Sequence, residues 1–528
     1  MNRWDRFLSH TMDLYWILKK VTETGILIDK VQRAEFKKTL LTALSTKEKE
    51  LDELIPKELC RHKEYKLTPA TFRCRECKGR GHSGGKDHEP CKDCRGTGTK
   101  ITEGSEGYNG VARVPKHTEL ISGHVQGGSG EYYVRSIDEP KFNCKTGKFN
   151  WSFRWLFNSK SPLQVRDYIK WKGHPVPKHR KSGEATTGQK DLEALARRFK
   201  DPFYKKILEL RSISDLLSKF ADNPWWSPAK DGRIHPSFNF NPSTGRLAAS
   251  RPNIQQSVKR GEYGALFRNQ FIASPGMLLV AVDYSSIEAV LTGWFGKDEE
   301  FIKAAKLSIH AILASHYLKQ LGKWDEPISM SWDLDKIKSA ISIIKKKFYP
   351  AYDQSKRVVY LSLYGGKPRM IYYQNPGVFN SIKECTQLQD MFFSTLAVKI
   401  KKWQSDVLEL AHRQCYLENP FGHRHYFFDV LNEKGGMGSQ AKDALAELPQ
   451  STASSIYKEV MVRLRPELTD YLLAPIHDEL LFQLPENEKD DLIEEIVTEM
   501  ERPIPELDGL AIGVEWASGH RWGEMVDF

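Results

Sequence analysis

Two short stretches of this 528-residue chain set acidic side chains against apolar runs. In "LLAPIHDELLFQL", residues His477, Asp478 and Glu479 divide two apolar segments. In "MLLVAVDYSSIEAVLTGWF", Asp283 follows an unbroken apolar run from Met277 to Val282. Burying even an uncharged polar group without a partner costs roughly 2–7 kcal/mol, so these acids either lie in water or face a cation. Two carboxylates at strand ends suit two Mg²⁺ ions in an in-line phosphoryl transfer. One ion lowers the pKa of the attacking hydroxyl, and the other steadies the leaving oxygen. Magnesium takes few carboxylates and completes its shell with water and substrate phosphates, so two protein ligands suffice. The competing role for Asp283 is helix capping.

A third stretch, "QSKRVVYLSLYGGKPRM", spaces Lys356, Tyr360 and Tyr364 at i, i+4 and i+8, on one helical face. The lysine can meet a triphosphate and the tyrosines can pack on a base and sugar, with the glycine pair at 365–366 closing the helix. An aromatic stripe at this spacing is, taken alone, more often core. The fourth feature is a cysteine quartet, Cys74, Cys77, Cys91 and Cys94, in two C-x-x-C pairs each followed by Gly-x-Gly. Four thiolates at this spacing make a closed tetrahedral zinc site, which is structural. The glycines let the backbone curl around the ion. Cys60 and His62 are alternate ligands, whereas Cys144, Cys385 and Cys415 read as plain buried residues.

These groups need elements to hold them. Met277–Val282 has the continuous apolar pattern of a fully buried strand. Ser285 then caps a helix with Ile287, Val290, Leu291 and Trp294 on its apolar face. The run around Asp478 reads as strand, tight turn, strand. Residues 1–56 read as helices, one of them running through 13–29. Residues 57–150 are rich in glycine and turns and read as short strands and loops. Helical patterns return over 151–225, and strands and helices mix thereafter. Lysines 345–347 read as a solvated helix face.

The formal net charge of +11 suits a polyanionic partner, nucleic acid first and a membrane surface second, with solubility alone as the competing account. An 11% aromatic content excludes a disordered tail-like protein. No apolar run reaches the roughly 18–20 residues a membrane span needs, and the N-terminus has no signal-peptide core. A reducing cytoplasm is the expected location, where C-x-x-C pairs favour metal over disulfides.

Together, "DYSSIE", "KRVVYLSLYGG" and "IHDEL" resemble motifs A, B and C of the family A DNA polymerases, the bacterial DNA polymerase I and phage replicative group, in the right order. "STGRLAASRPNIQQ", "SIHAILA", "FGHRHYF", "LPQSTASSIYK", "FNSKSPLQVRDYI", "VTETGILID" and "VEWASGHRWGEM" are similar to further segments of that family. The likeness runs from about residue 12 to the end, interrupted by 57–150, whose knuckles resemble one pair of the zinc-binding repeats in DnaJ-type chaperones. It implies an α+β right-hand polymerase: a palm with an antiparallel sheet, helical fingers and thumb, and a small zinc-binding insertion. The implied division is 1–56 (N-terminal helices and start of the thumb), 57–150 (insertion), 151–225 (thumb), 226–300 (palm, motif A), 301–415 (fingers, motif B) and 416–528 (palm, motif C).

The resemblance implies DNA-templated extension of a primer with deoxynucleotides, using two Mg²⁺ and one structural Zn²⁺. Asp283 and Asp478 would bind the two Mg²⁺, beside the Tyr284 carbonyl, with Glu479 close by. Lys356 and His310 would meet the triphosphate and Tyr360 the sugar. Glu288 would be the steric gate against a 2′-hydroxyl, and Tyr364 would stack at the templating position. Arg246, Asn253, Gln255, Gln450 and His477 would line the primer end or the minor groove. The chain departs from the family at Ser286, Val290, Tyr352, Lys442 and Ala446. Tyr352 stands where motif B carries an arginine, which leaves that phosphate contact absent or supplied by Arg357 or one of Lys345–Lys347. The few residues before the polymerase region imply no proofreading or flap nuclease domain, and this compactness suggests a phage or mobile-element origin. The insertion, with Arg73, Arg75, Lys78, Arg80, Lys92 and Arg95 around its knuckles, is expected to grip duplex DNA or dock a replisome or processivity partner; an inert stabilising lobe is the alternative. Competing functions are a single-subunit RNA polymerase-like enzyme and a zinc-containing DNA-binding protein impaired in catalysis.

Overall fold

The computed structural model describes residues 3–59, 62–67, 70–73, 99–102, 111–113, 118–126, 130–134, 140–144, 148–155, 157–179, 182–240, 245–259, 261–433 and 435–528. The cysteine quartet and Cys60 lie outside the described residues, as do the basic residues flanking the knuckles other than Arg73, whose backbone ends a strand. The chain forms two compact units, Met1–Leu41 with Asp215–Phe528, and Thr42–Ser214.

The larger unit is built on a five-stranded antiparallel sheet. Its strands are β1 (Met277–Tyr284), β2 (Leu472–Ile476), β3 (Glu479–Pro485), β4 (Val514–Gly519) and β5 (Val526–Asp527), in the order β2-β3-β1-β4-β5. The central strand β1 is apolar on both faces, and Leu279, Val280 and Val282 have no exposed surface. Burial of each such side chain contributes roughly 1.5–3 kcal/mol, which fixes the strand that carries Asp283. Seven helices matter to the site: α1 (Arg3–Thr24), α2 (Ile287–Phe295), α3 (Ile309–Gln320), α4 (Leu334–Lys347), α5 (Tyr349–Leu363), α6 (Ala441–Arg463) and α7 (Lys489–Glu501). Helix α7 packs on β1, β3 and β4, while α6 packs against α1 and α2. Helices α3, α4 and α5 pack on one another and bury Ile312, Ile344, Val358 and Val359.

The smaller unit holds helices Pro162–Trp171, Gln189–Phe199 and most of Pro202–Leu216, around the stacked rings of Tyr168 and Phe203. Ser161 caps the first of these by accepting from the Gln164 amide. The unit also contains a three-stranded sheet in which Lys148–Trp155 pairs on one side with His62–Leu67 and on the other with Thr118–Gln126. The two ends of the 57–150 stretch are therefore paired to each other, and the closing strand runs on to Trp155.

Three local expectations change. The helix expected over 13–29 stops at Thr24, because Gly25 turns left-handed (φ +63°) and passes so close to Ile234 that a Cβ would lie 2.6 Å from its carbonyl oxygen. Ile26–Leu27 then pairs with Arg233–Ile234 as a short ladder. Ser285 does not cap α2. Its amide bonds the Gly513 carbonyl, and Ser286 occupies the cap position in a left-handed conformation without a side-chain bond. Cys415 is exposed, not buried, since it forms the left-handed cap after helix Val398–Gln414; Cys385 is buried as expected.

Candidate active site

Strands β1 and β3 pair so that Asp283 lies opposite Glu479, and on its other side Asp283 lies opposite Glu515 of β4. Three carboxylates thus form a row across the sheet, where like charges directly opposite repel. Strands β2 and β3 form a hairpin closed by the Ile476–Glu479 pair, with His477 and Asp478 as its two-residue loop. His477 takes φ +60°, the sense of twist that two-residue hairpins require. The loop is tied down twice. The Tyr284 amide donates to the Asp478 carbonyl (3.3 Å), and His477 Nε2 lies 3.0 Å from the Gln255 carbonyl.

Burial pushes the Asp283 carboxyl up to about 7, helped by the negative charges of Asp478 and Glu479. Burial also raises Asp478 and Glu479, with Lys259 opposing the rise at all three acids and Arg268 opposing it at Glu479. Asp283 Oδ1 and Glu479 Oε1 are buried without a hydrogen-bond partner. An anionic oxygen cluster short of donors fits a hard cation such as Mg²⁺. Among the described residues no group of three or more His, Cys, Asp or Glu converges to hold a metal, so an ion here would complete its shell with ligands from outside the protein. Magnesium sites commonly work that way.

Beside this cluster, Glu288 in the first turn of α2 accepts from the Arg246 guanidinium and is hydrogen-bonded to Gln450 of α6. Burial raises its pKa, and the Asp478 charge adds to the effect while Arg246 opposes it. Arg246 is held in place through its neighbour: the Gly245 carbonyl accepts from Ser454 (2.8 Å) and from Lys458, both on α6. Burial brings the Lys458 ammonium down to about 8.

Gln255 is bonded within the protein. Its side-chain amide donates to Leu247 and accepts from Ala249, so it braces a strand, and its carbonyl is what reaches His477. Asn253 Oδ1 is buried without a partner.

The triphosphate-side residues come from α3 and α5. His310 is buried, and burial together with the Lys356 and Lys345 charges depresses its pKa to about 3, so the ring is neutral at physiological pH. Its ring lies 5.1 Å from that of Tyr360 and 6.1 Å from that of Tyr352. Tyr364 follows the last residue of α5, with its hydroxyl buried and unpartnered. The glycine pair does end the helix. Gly365 is left-handed (φ +69°), Gly366 N–H donates to Leu361 (2.7 Å), and a Cβ on Gly366 would strike that carbonyl. Arg357 is tied to Asp353 (2.9 Å) and Asn375 (2.7 Å), whereas the Lys345 ammonium lies 5.9 Å from the centre of the Tyr352 ring. Of these two side chains, Lys345 acts on His310 through its charge.

Several residues of the site escape sequence reasoning. Glu515 has no local signature and is found only through β-register. Tyr457 is buried beneath β3 and donates to the Glu479 carbonyl (3.1 Å). Arg268 stacks 3.9 Å over Trp522, and Lys259 reaches to 3.8 Å from Glu479 Oε2. The sole sequence signal for the last two is a basic charge some twenty residues before Asp283.

Residues 149–324 and 350–524 match the family described as DNA polymerase family A. The thermostable DNA polymerase I of Thermus filiformis is 30% identical over 358 residues, covering 66% of this chain and 39% of that protein. A thermostable DNA polymerase I of Thermus thermophilus is 27% identical over 395 residues, covering 74% and 43%. DNA polymerase I of Chloroflexus aurantiacus is 28% identical over 387 residues, covering 70% and 38%. The chain thus spans about two fifths of the length of these curated relatives. The fold is similar to that of the POL domain of Pol1 from M. smegmatis, solved in complex with DNA primer-template and dNTP. The TM-score is 0.64 at 19% identity, covering 97% of this chain and 70% of that one. No helix among the described residues is long and apolar enough to cross a membrane. The family match takes in β1, the β2–β3 hairpin, β4, α3 and α5 from residue 350 onward, and the chain belongs to DNA polymerase family A.

Proposed function

We propose that this chain extends a primer 3′ end with deoxynucleotides on a DNA template, by nucleotidyl transfer at the Asp283–Asp478 cluster. The observation that carries this reading is a row of carboxylates across the sheet in which Asp283 and Glu479, directly opposite each other, each keep a buried oxygen without a hydrogen-bond partner, an arrangement that calls for a cation. Asp283 and Asp478 would hold two Mg²⁺, with the Tyr284 carbonyl beside them and Glu479 adjacent. When bound, those ions would supply Lewis-acid chemistry for deprotonating the primer hydroxyl and balancing charge on pyrophosphate. The protein's own contribution is positioning. Pairing in the β-sheet fixes Asp283, and the two ties on the hairpin loop fix Asp478.

Lys356 and neutral His310 bind the triphosphate, the lysine as a point charge and the imidazole as a hydrogen-bonding group. Tyr360 packs on the sugar and Tyr364 at the templating position. Glu288 stands as a barrier to a 2′-hydroxyl and is kept in place by Arg246 and Gln450. Arg246, Gln450, Asn253 and the Gln255–His477 contact face the primer end, where minor-groove acceptors are shared by all correct pairs. Cys74, Cys77, Cys91 and Cys94 form a structural zinc site in an insertion that serves duplex DNA or a processivity partner. The test is primer extension with Mg²⁺ and dNTPs compared with rNTPs. Extension with dNTPs alone is expected, and preference for rNTPs would favour an RNA polymerase.

A further inference from the structure

The acid cluster has a cation of its own. Lys259 follows the short turn Ile254–Gln256, which is anchored by fully buried Ile254 and by the Gln255 side-chain bonds to Leu247 and Ala249. The same turn is docked on the hairpin loop by the His477–Gln255 contact, and the Lys259 charge acts on Asp283, Asp478 and Glu479 alike. Its ammonium lies 3.8 Å from Glu479 Oε2, with the lysine side chain 62% exposed and the glutamate 10%. Arg268, which also acts on Glu479, is buried and stacked on Trp522, so it cannot leave. Among the described residues, the Lys259 ammonium meets Glu479 at 3.8 Å, longer than a hydrogen bond, on a flexible four-carbon stem.

We propose that Lys259 is a tethered counter-ion that neutralises the Asp283–Asp478–Glu479 cluster before a divalent cation binds and withdraws when one enters. This rests on the reading of that cluster as a Mg²⁺ site. A monovalent ammonium and a divalent ion both seek the same negative field, and the exposed lysine loses little by turning to water. Lys259 therefore tunes how much metal the site requires, and offsets part of the repulsion among the three acids in the metal-free chain.

The test is Mn²⁺ binding, read as loss of the free-ion EPR signal. It uses the full chain with a dideoxy-terminated primer–template and the matching dNTP, so that no turnover occurs, and subtracts the Mn²⁺ taken up by the same DNA and dNTP without protein. Lys259→Met is expected to bind Mn²⁺ roughly three- to fivefold more tightly, the size of an exposed ion-pair effect. Lys259→Arg should restore the wild-type affinity. Unchanged or weaker binding in Lys259→Met would overturn the counter-ion role, and weaker binding would assign the lysine to substrate phosphate instead. If wild type and Asp478→Ala bind Mn²⁺ alike, the metal reading itself fails and the counter-ion role falls with it.

Discussion

Asp283 and Glu479 stand directly opposite each other in the antiparallel register of the two central strands, and each keeps one buried oxygen without a hydrogen-bond partner. A fold seeking stability alone would not place them there. Burying like charges is tolerated where a third, positive species completes the arrangement.

The first prediction concerns pH. The folded Asp283 carboxyl titrates at about 7, against an ordinary value of 3.8. Between those values the folded chain holds a proton that the unfolded chain has released. Its contribution to stability is therefore complete below pH 3.8 and lost as pH rises through 7, on the order of 2–4 kcal/mol. Urea unfolding of the metal-free chain should show this slope, and Asp283→Asn should flatten it. Asp478→Asn should raise metal-free stability by about 1–3 kcal/mol through relief of repulsion.

His310 titrates the other way. Its pKa falls from 6.5 to about 3, so its contribution is present above pH 6.5 and lost as pH falls toward 3. His310→Gln should remove that acid-side dependence. It should raise KM for the incoming nucleotide roughly tenfold, by loss of one hydrogen bond to a charged group. An unchanged KM would detach His310 from the triphosphate.

Glu288 and Arg246 form one unit. Glu288→Ala should reduce discrimination against ribonucleotides by roughly 10- to 100-fold in kcat/KM ratio, as expected when a hydroxyl-excluding group is removed. Arg246→Ala should produce part of the same loss, and the double variant should cost less than the sum of the two. Strict additivity would show that the ion pair does not position the gate.

Tyr360 is exposed and lies against the His310 ring. The resemblance to motif B of the family implies that a tyrosine at this position permits dideoxynucleotide incorporation. A chain-termination assay should show ready termination by the wild type and stronger discrimination by Tyr360→Phe. Strong discrimination by the wild type would refute this assignment.

Much of this was legible in the sequence because the acid-bearing strands are short-range objects. Met277–Val282 announces burial on both faces by its unbroken apolar run, and the hairpin announces itself by two apolar runs around His477, Asp478 and Glu479, the last of which the structure places in the second strand. The closing glycines of α5 were equally plain, since only a left-handed residue and a close backbone approach satisfy that helix end. What sequence could not supply was register and reach. Glu515 enters the carboxylate row only because β4 pairs with β1 at one particular offset. Lys259 and Arg268 matter through side-chain length and tertiary docking. The bracing of Leu247 and Ala249 by the Gln255 amide is likewise a tertiary relationship with no local signature. Cys415 looked like core because cysteine usually is, yet a left-handed helix cap put it at the surface.

The central claim is that a cation held by Asp283 and Asp478 drives nucleotide transfer onto a primer. Primer extension on a primed DNA template, with Mg²⁺ and the four dNTPs, tests it most directly when wild type is run beside Asp478→Ala. The account predicts template-directed extension by the wild type and a loss of at least about 10³-fold in the variant, as when electrostatic stabilisation of a transition state is removed. Comparable extension by Asp478→Ala, with its fold intact, would contradict it.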